Sequence, residues 1–264
     1  MRFEDFLITY QNDIRLFAFF GLLIVLFILE QALPRRRQTP SARHYIGNLV
    51  LGGINIFVLR LLLPGGLVGI AFLRDGGGLM AYLALPTWAD FLICLLVLDL
   101  TLYTQHRLLH KIPLLWRLHA PHHSDRTLNV ASGVRFHPGE AVFSAAVKAA
   151  AVWLLGAPVG AVILFEVLLS SASLFNHANW SLGAADRVIR RLIVTPDMHR
   201  IHHSRRPAES HKNFGFFLSL WDRLFASYQD RPHAPHVDLA LGLSDAPDDG
   251  LTATLAQPLK NQTG

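Results

Sequence analysis

Residues 88–123 read WADFLICLLVLDLTLYTQHRLLHKIPLLWRLHAPHH. An apolar run that ends in histidines decides the fold. About 20 apolar residues cross a bilayer as a helix, and the stretch from Trp88 to His110 has that length. Asp99, Tyr103, His106 and His110 stand at offsets of 0, 4, 7 and 11, which puts all four on one helical face. An ionisable residue at membrane depth marks a functional site by default, so Asp99 is either a brace for the histidines or a structural hydrogen-bond partner. Five histidines, His106, His110, His119, His122 and His123, fall within eighteen residues. Residues four apart share a helix face, so His106 and His110 can grip one ion. Adjacent His122 and His123 point apart and can feed two.

The triplet His199, His202 and His203, written HRIHH, repeats this spacing. Neutral imidazole is the commonest metal ligand at physiological pH. One zinc needs three or four ligands, whereas the chain offers at least eight in three boxes, so two ions are expected. Isolated His44, His233 and His236 read as packed or solvated side chains. No HExxH occurs, which removes the common helical zinc peptidase from consideration.

Of the 264 residues, 52% are hydrophobic and only 16% charged, against about 25% charged in soluble domains. Mean hydropathy is +0.33. The net charge of +5 belongs with membrane topology, and nucleic acid is not an expected partner. A single cysteine, Cys94, excludes an internal disulfide, a CxxC pair or a thiolate cluster.

Working outward, Ile14–Leu33 is an apolar segment without a basic leader or cleavage site, hence a retained helix. A second run from Tyr45 to Leu63 carries Arg60 and stops at Pro64-Gly65-Gly66. A loop, a re-entrant piece and an interfacial segment all fit residues 64–87, with Gly76-Gly77-Gly78. Gly139 to Asn176 reads as a helical hairpin split by Gly156-Ala157-Pro158, crossing the membrane twice or dipping into it. With five crossings, nineteen of 24 Lys and Arg residues lie on the side of the boxes: four in 35–43, five in 107–135 and ten in 187–260. The positive-inside rule makes that side cytoplasmic. The expectation is an all-α polytopic protein with four to five transmembrane or re-entrant helices. A cytosolic, histidine-rich helical cap holds its dinuclear site. Residues 1–231 form this unit, and 232–264, rich in Pro, Ala and Asp, read as a poorly ordered tail.

The joined segments resemble the fatty acid hydroxylase/sterol desaturase superfamily of membrane non-haem di-iron enzymes. HRLLHKIPLLWRLHAPHHS with Asp99 and Tyr103 resembles its first two boxes. Arg135-Phe136-His137-Pro138-Gly139-Glu140 resembles its HPxE segment, and Thr195-Pro196-Asp197-Met198-His199 leads into its last box. Asn213-Phe214-Gly215 and Trp221-Asp222-Arg223-Leu224-Phe225 resemble its closing signature, although Ala226-Ser227-Tyr228 stands where Gly-Thr-Tyr is usual. The likeness covers about residues 90–230.

The resemblance implies that His106, His110, His119, His122, His123, His177, His199, His202 and His203 hold two iron ions, which zinc can replace on purification. Asn176 and Asn179 flank His177, where some members supply a second histidine, and read as hydrogen-bonding groups. His137 either opens a helix or ligates or braces the centre. His211 reads as a neighbour of the site or a surface group. Asp99, Asp197 and Asp222 are the candidate acceptors for the second ring N–H of the ligands; Glu140 and Glu166 look less well placed. The implied activity is hydroxylation of a fatty acyl, sterol or isoprenoid-type lipid by O2. Electrons come from a ferredoxin-, flavoprotein- or cytochrome-type donor, attracted by Arg190, Arg191, Arg205 and Arg206 unless those arginines serve topology. Alternatives are a desaturase, an aldehyde-forming oxidase, a zinc-dependent membrane hydrolase and a metal-storage or transport protein.

Overall fold

The computed structural model describes residues 3–244 and 250–260. Among these the chain is helical, with three isolated β-bridges and no strand. A short helix, α1 (Phe3–Thr9), precedes α2 (Gln11–Ala32), α3 (Ala42–Leu62), α4 (Gly66–Arg74), α5 (Gly78–Leu83), α6 (Thr87–Lys111), α7 (Pro113–His123), α8 (Pro138–Leu155) and α9 (Val159–His177). Among the described residues five stretches are long and apolar enough to cross a membrane: Gln11–Ala32, Ala42–Leu83, Thr87–Lys111, Pro138–Leu155 and Val159–His177.

Local chemistry sets the ends. Proline opens α7 and α8, where its missing N–H costs nothing. Ser41 caps α3 by accepting the His44 amide at 3.2 Å. Cys94, Leu98, Val152, Ala161, Val162 and Ile163 fill the bundle interior. Phe17, Ile24, Phe57, Leu61 and Leu154 are exposed. Such long apolar faces are rare on soluble monomers and suit lipid.

The undecided residues 64–87 form two short helices, α4 and α5, of nine and six residues. Neither reaches the roughly 20 residues of a span. Leu67, Val68, Ala71 and Met80 pack with Leu155 and Val159 at the end of the bundle away from the histidines. The expected hairpin is α8 and α9, and its turn meets the triple glycine. A Cβ on Gly156 (φ +65) would fall 1.7 Å from the Gly77 carbonyl oxygen, so only glycine fits there.

The ends of α2, α6 and α9 and the starts of α3 and α8 all reach one cap. Glu30, near the end of α2, accepts the amides of Val130 at 2.9 Å and Asn179 at 3.1 Å. His44, in the first turn of α3, lies 3.4 Å from Asp125. The cap adds α10 (Pro196–His202), α11 (Leu220–Leu224) and α12 (Leu251–Ala256).

The segment expected as a poorly ordered tail includes residues 245–249 and 261–264, which lie outside the described residues. The rest packs on the cap. Leu239 and Leu241 bury against Leu128, and Thr254 is buried. Arg117 Nε donates to the Pro258 carbonyl at 2.8 Å, Arg135 Nη2 to Thr254 Oγ1 at 3.0 Å, and His137 Nε2 to the Leu255 carbonyl at 3.3 Å. Composition hid this strap because its partners are backbone oxygens and one hydroxyl.

Candidate metal centre

Nine buried histidines converge in the cap. Ring nitrogens of His106, His110, His119, His123 and His202 lie within 4.8 Å of one another, and those of His122, His177, His199 and His203 form a second such group. The split follows helix geometry. The last two turns of α6 present His106 and His110, and α7 adds His119 and His123 at spacing i,i+4 to the same group. His122 and His123 diverge into different groups, as their adjacency predicts, and so do His202 and His203.

The hydrogen bonds fix the tautomers. Nδ1–H of His106 donates to the Phe214 carbonyl (2.9 Å), of His119 to Glu140 Oε1 (2.8 Å), and of His122 to the Arg135 carbonyl (3.1 Å). Likewise His177 donates to the Ser173 carbonyl (2.7 Å) and His202 to the Lys212 carbonyl (2.8 Å). A neutral imidazole has one N–H and one acceptor nitrogen, so each of these five rings points an Nε2 lone pair inward. His106 and His119 then face each other, lone pair to lone pair, at 3.2 Å, and His122 and His177 at 3.1 Å.

Protonation does not relieve the contact at His122. Burial first, then neighbouring rings, hold His122, His123, His199 and His203 well below the usual imidazole range. Burial lowers His202 to about 3. A cation between the rings turns repulsion into ligation. With metal–nitrogen bonds of about 2.1 Å, adjacent ligands stand about 3.0 Å apart at right angles and about 3.4 Å apart in a tetrahedron. The Nε2 separations of 3.1 Å for His110–His123, His177–His199 and His199–His203 fall in that interval. The donor set fits two metal ions.

The expected carboxylate braces need correction. Asp99 does not reach His106: two turns lower on α6, it accepts from the amides of Phe217 (3.3 Å) and Leu218 (3.1 Å) and from Trp221 Nε1 (2.8 Å). Asp197 pairs with Arg200 and, at 3.0 Å, with Arg35; these cations hold its carboxyl below the usual range against the effect of burial. Asp222 acts at one remove. It accepts the Phe214 (2.8 Å) and Gly215 (2.7 Å) amides and so fixes the peptide whose carbonyl holds His106. Among the described residues, the carboxylate that touches a clustered histidine is Glu140. The sequence signal for it is an acid in the first turn after Pro138, at the start of an apolar helix. Glu166 instead pairs with Arg15 at 2.5 Å.

The remaining candidates support the site from outside. Tyr103 hydrogen bonds Ser227 Oγ at 2.7 Å and stacks on Phe225. Asn176 Nδ2 donates to the Phe216 carbonyl at 2.7 Å, and Asn179 ties to Arg36. His137 is the helix-entrance residue: its Nδ1 accepts the Gly139 amide at 3.0 Å. His211 is exposed, 5.6 Å ring to ring from His110, outside both groups. His44, His233 and His236 also lie outside them, facing Asp125, Glu209 and Asp197. The acceptors of His106, His122, His177 and His202 are backbone carbonyls, which no side-chain motif announces.

Arg135 joins the strap to the centre, because its carbonyl receives His122 while its guanidinium donates to Thr254. Thr254→Val leaves that buried donor unmatched, which costs about 1–3 kcal/mol. Thermal unfolding in detergent should show the lower midpoint; an unchanged midpoint would mean that the strap bond contributes nothing.

Fold and site together define a polytopic helical membrane protein with a polyhistidine cap. The chain matches the fatty acid hydroxylase family over residues 91–227 and belongs to it. It is 33% identical over 177 residues to an ornithine lipid hydroxylase of Rhizobium tropici, covering 67% of this chain and 52% of that protein. An alkylglycerol monooxygenase of Danio rerio is 29% identical over 56% of the chain and 32% of its own length. A very-long-chain aldehyde decarbonylase of Oryza sativa subsp. indica is 28% identical over 71% of the chain and 30% of its own. The chain thus spans about half the length of the first relative and about a third of the others. No solved structure matches it.

Proposed function

We propose that this protein is a membrane di-iron hydroxylase that places one oxygen atom of O2 in a C–H bond of a lipid. The single observation that carries the reading is the pair of inward-facing lone-pair clusters. His106, His110, His119, His123 and His202 ligate one iron, and His122, His177, His199 and His203 the other. Five imidazoles exceed the four ligands of a structural zinc. Bound iron would supply the redox chemistry that zinc lacks and that attack on a C–H bond requires. Family membership and the relatives' names support hydroxylation and a lipid substrate.

The chain's own residues orient and protect. Nδ1 bonds to Phe214, Glu140, Arg135, Ser173 and Lys212 hold five rings with their lone pairs inward. Glu140 also brings a negative charge to a centre of neutral ligands. The nine rings are buried, which keeps bulk water from the reacting centre. The overall change, RH + O2 + 2 electrons + 2 H⁺ → ROH + H2O, takes both electrons from an external carrier, since buried Cys94 is the sole cysteine. The bias of Lys and Arg toward the box side supports a cytosolic cap. All nine histidines lie within residues 1–231, and the strap of residues 232–244 and 250–260 closes the cap around them.

The decarbonylase's name makes an aldehyde the substrate, so likeness to it favours one second reading, loss of the carbonyl from a long-chain aldehyde on the same histidines. Membranes incubated with isotopically labelled O2 decide between them. Hydroxylation puts one labelled oxygen in a lipid alcohol, and label from water or turnover without O2 rejects it. A fed long-chain aldehyde shortened by one carbon, with no labelled alcohol formed, selects the second reading.

A further inference from the structure

Between the cap end of α3 and the strap lies a cavity of about 270 Å³. Small-ligand pockets begin near about 300 Å³, so this one takes a headgroup-sized ligand and leaves an acyl chain outside. Arg43, Asn48 and Arg135 line it with Ile46, Val50 and Leu251. No carboxylate lines it among the described residues. Arg43 is exposed in the first turn of a 21-residue helix.

Arg135 makes this a built site. It is only 5% exposed, and buried charges are normally paired with an opposite charge. Yet its acceptors are all neutral: the Pro121 carbonyl (3.0 Å), Asn48 Oδ1 (2.9 Å), Ser124 Oγ (3.2 Å) and Thr254 Oγ1 (3.0 Å). A guanidinium carries five N–H donors, one more than these bonds use. Asp125 lies within electrostatic reach but gives Arg135 no hydrogen bond: its oxygens accept from Ser132 Oγ and the Thr127 amide, and Oδ2 lies 3.4 Å from His44 Nε2.

We propose that this cavity binds the anionic headgroup of a membrane lipid, held by Arg43 and Arg135, with the acyl chain descending α3. The chain has a path. Ile46, Val50, Phe57 and Leu61 are exposed and share one face of α3, with Gly53 on the turn between Val50 and Phe57. Gly47 lines the cavity, and a Cβ there would meet nothing within 4 Å. The site also adjoins the metal centre. The carbonyl of Arg135 receives His122, and Phe136 stacks on the His122 ring at 4.5 Å. A lipid gripped by Arg135 is therefore held one residue from the four-histidine group, as a substrate held by its headgroup. That role rests on the hydroxylase reading; the binding does not.

Native mass spectrometry of the full-length protein in detergent, metal-free and metal-loaded, tests the binding with phosphatidylglycerol and phosphatidylcholine as probes. Wild type should retain one phosphatidylglycerol per chain with at least about tenfold preference. Arg43→Glu should abolish the preference, and Gly47→Phe should displace the lipid by filling the open slot. Equal retention of both lipids, or an Arg43→Glu variant that keeps the preference, overturns the proposal.

An acidic run, Asp245-Ala246-Pro247-Asp248-Asp249, precedes Gly250 in sequence and is the rival occupant. If that run fills the cavity, wild type fails to retain phosphatidylglycerol and the triple Asp→Asn variant gains it, which also overturns the proposal. The substrate role is read separately. In loaded enzyme Arg43→Glu should raise KM for an anionic lipid about tenfold or more with kcat within about twofold. Unchanged KM with lost retention sinks the substrate role. Failure of the hydroxylase reading would show as absent labelled product with retention intact.

Discussion

His122→Ala and His123→Ala, though adjacent, are each expected to release about one metal ion per chain, and from different groups. His123 Nε2 lies 3.1 Å from His110 Nε2 in the five-histidine group, whereas His122 Nε2 lies 3.1 Å from His177 Nε2 in the other. In the double variant the losses should add to nearly two ions. Each single change should abolish turnover by more than the roughly 100-fold that marks the larger effect of losing a ligand's hydrogen-bond partner. His233→Ala and His236→Ala are the controls, because those rings face Glu209 and Asp197 outside both groups. Elemental analysis and an activity assay on the same preparation make the check. One ion in fully active wild type, or one variant that releases both ions while its neighbour releases none, would defeat the two-ion assignment.

Spacing made the histidines legible because it is a property of the helix itself. His106 and His110 share a face whatever surrounds them, and adjacent His122 and His123 cannot. Long apolar runs made the spans legible for the same reason. What packing decides was less visible. Offsets put Asp99 on the face of His106, but a shared face spans two turns of height, and the 217–221 segment meets Asp99 at the lower level. Gly156-Ala157-Pro158 reads as the split of a helical hairpin and Gly76-Gly77-Gly78 lies in a segment that fits a loop, a re-entrant piece or an interfacial stretch, and nothing local says that the two touch. The strap was hidden most deeply. Its anchors are the carbonyls of Leu255 and Pro258 and the hydroxyl of Thr254, and its donors, Arg117, Arg135 and His137, lie over a hundred residues earlier.

Glu140→Gln and Asp99→Asn should fail in opposite ways, which makes the pair informative. Glutamine keeps the shape of Glu140 and an oxygen able to accept the His119 Nδ1–H, but removes the charge beside the ligand. Loss of such a partner typically costs about 10–100-fold in metal affinity or activity. Thermal stability should change little, because one acceptor survives. Asp99 touches no clustered histidine. Its two oxygens accept three N–H groups, and the amide of an asparagine turns one acceptor into a donor facing them. A buried mismatch of that kind costs about 1–3 kcal/mol, so Asp99→Asn should lower the unfolding midpoint while material that stays folded keeps its metal. Metal content, turnover and melting of the two variants, measured side by side, separate the roles. If Asp99→Asn melted like wild type yet lost more activity than Glu140→Gln, Asp99 would be serving the metal centre after all.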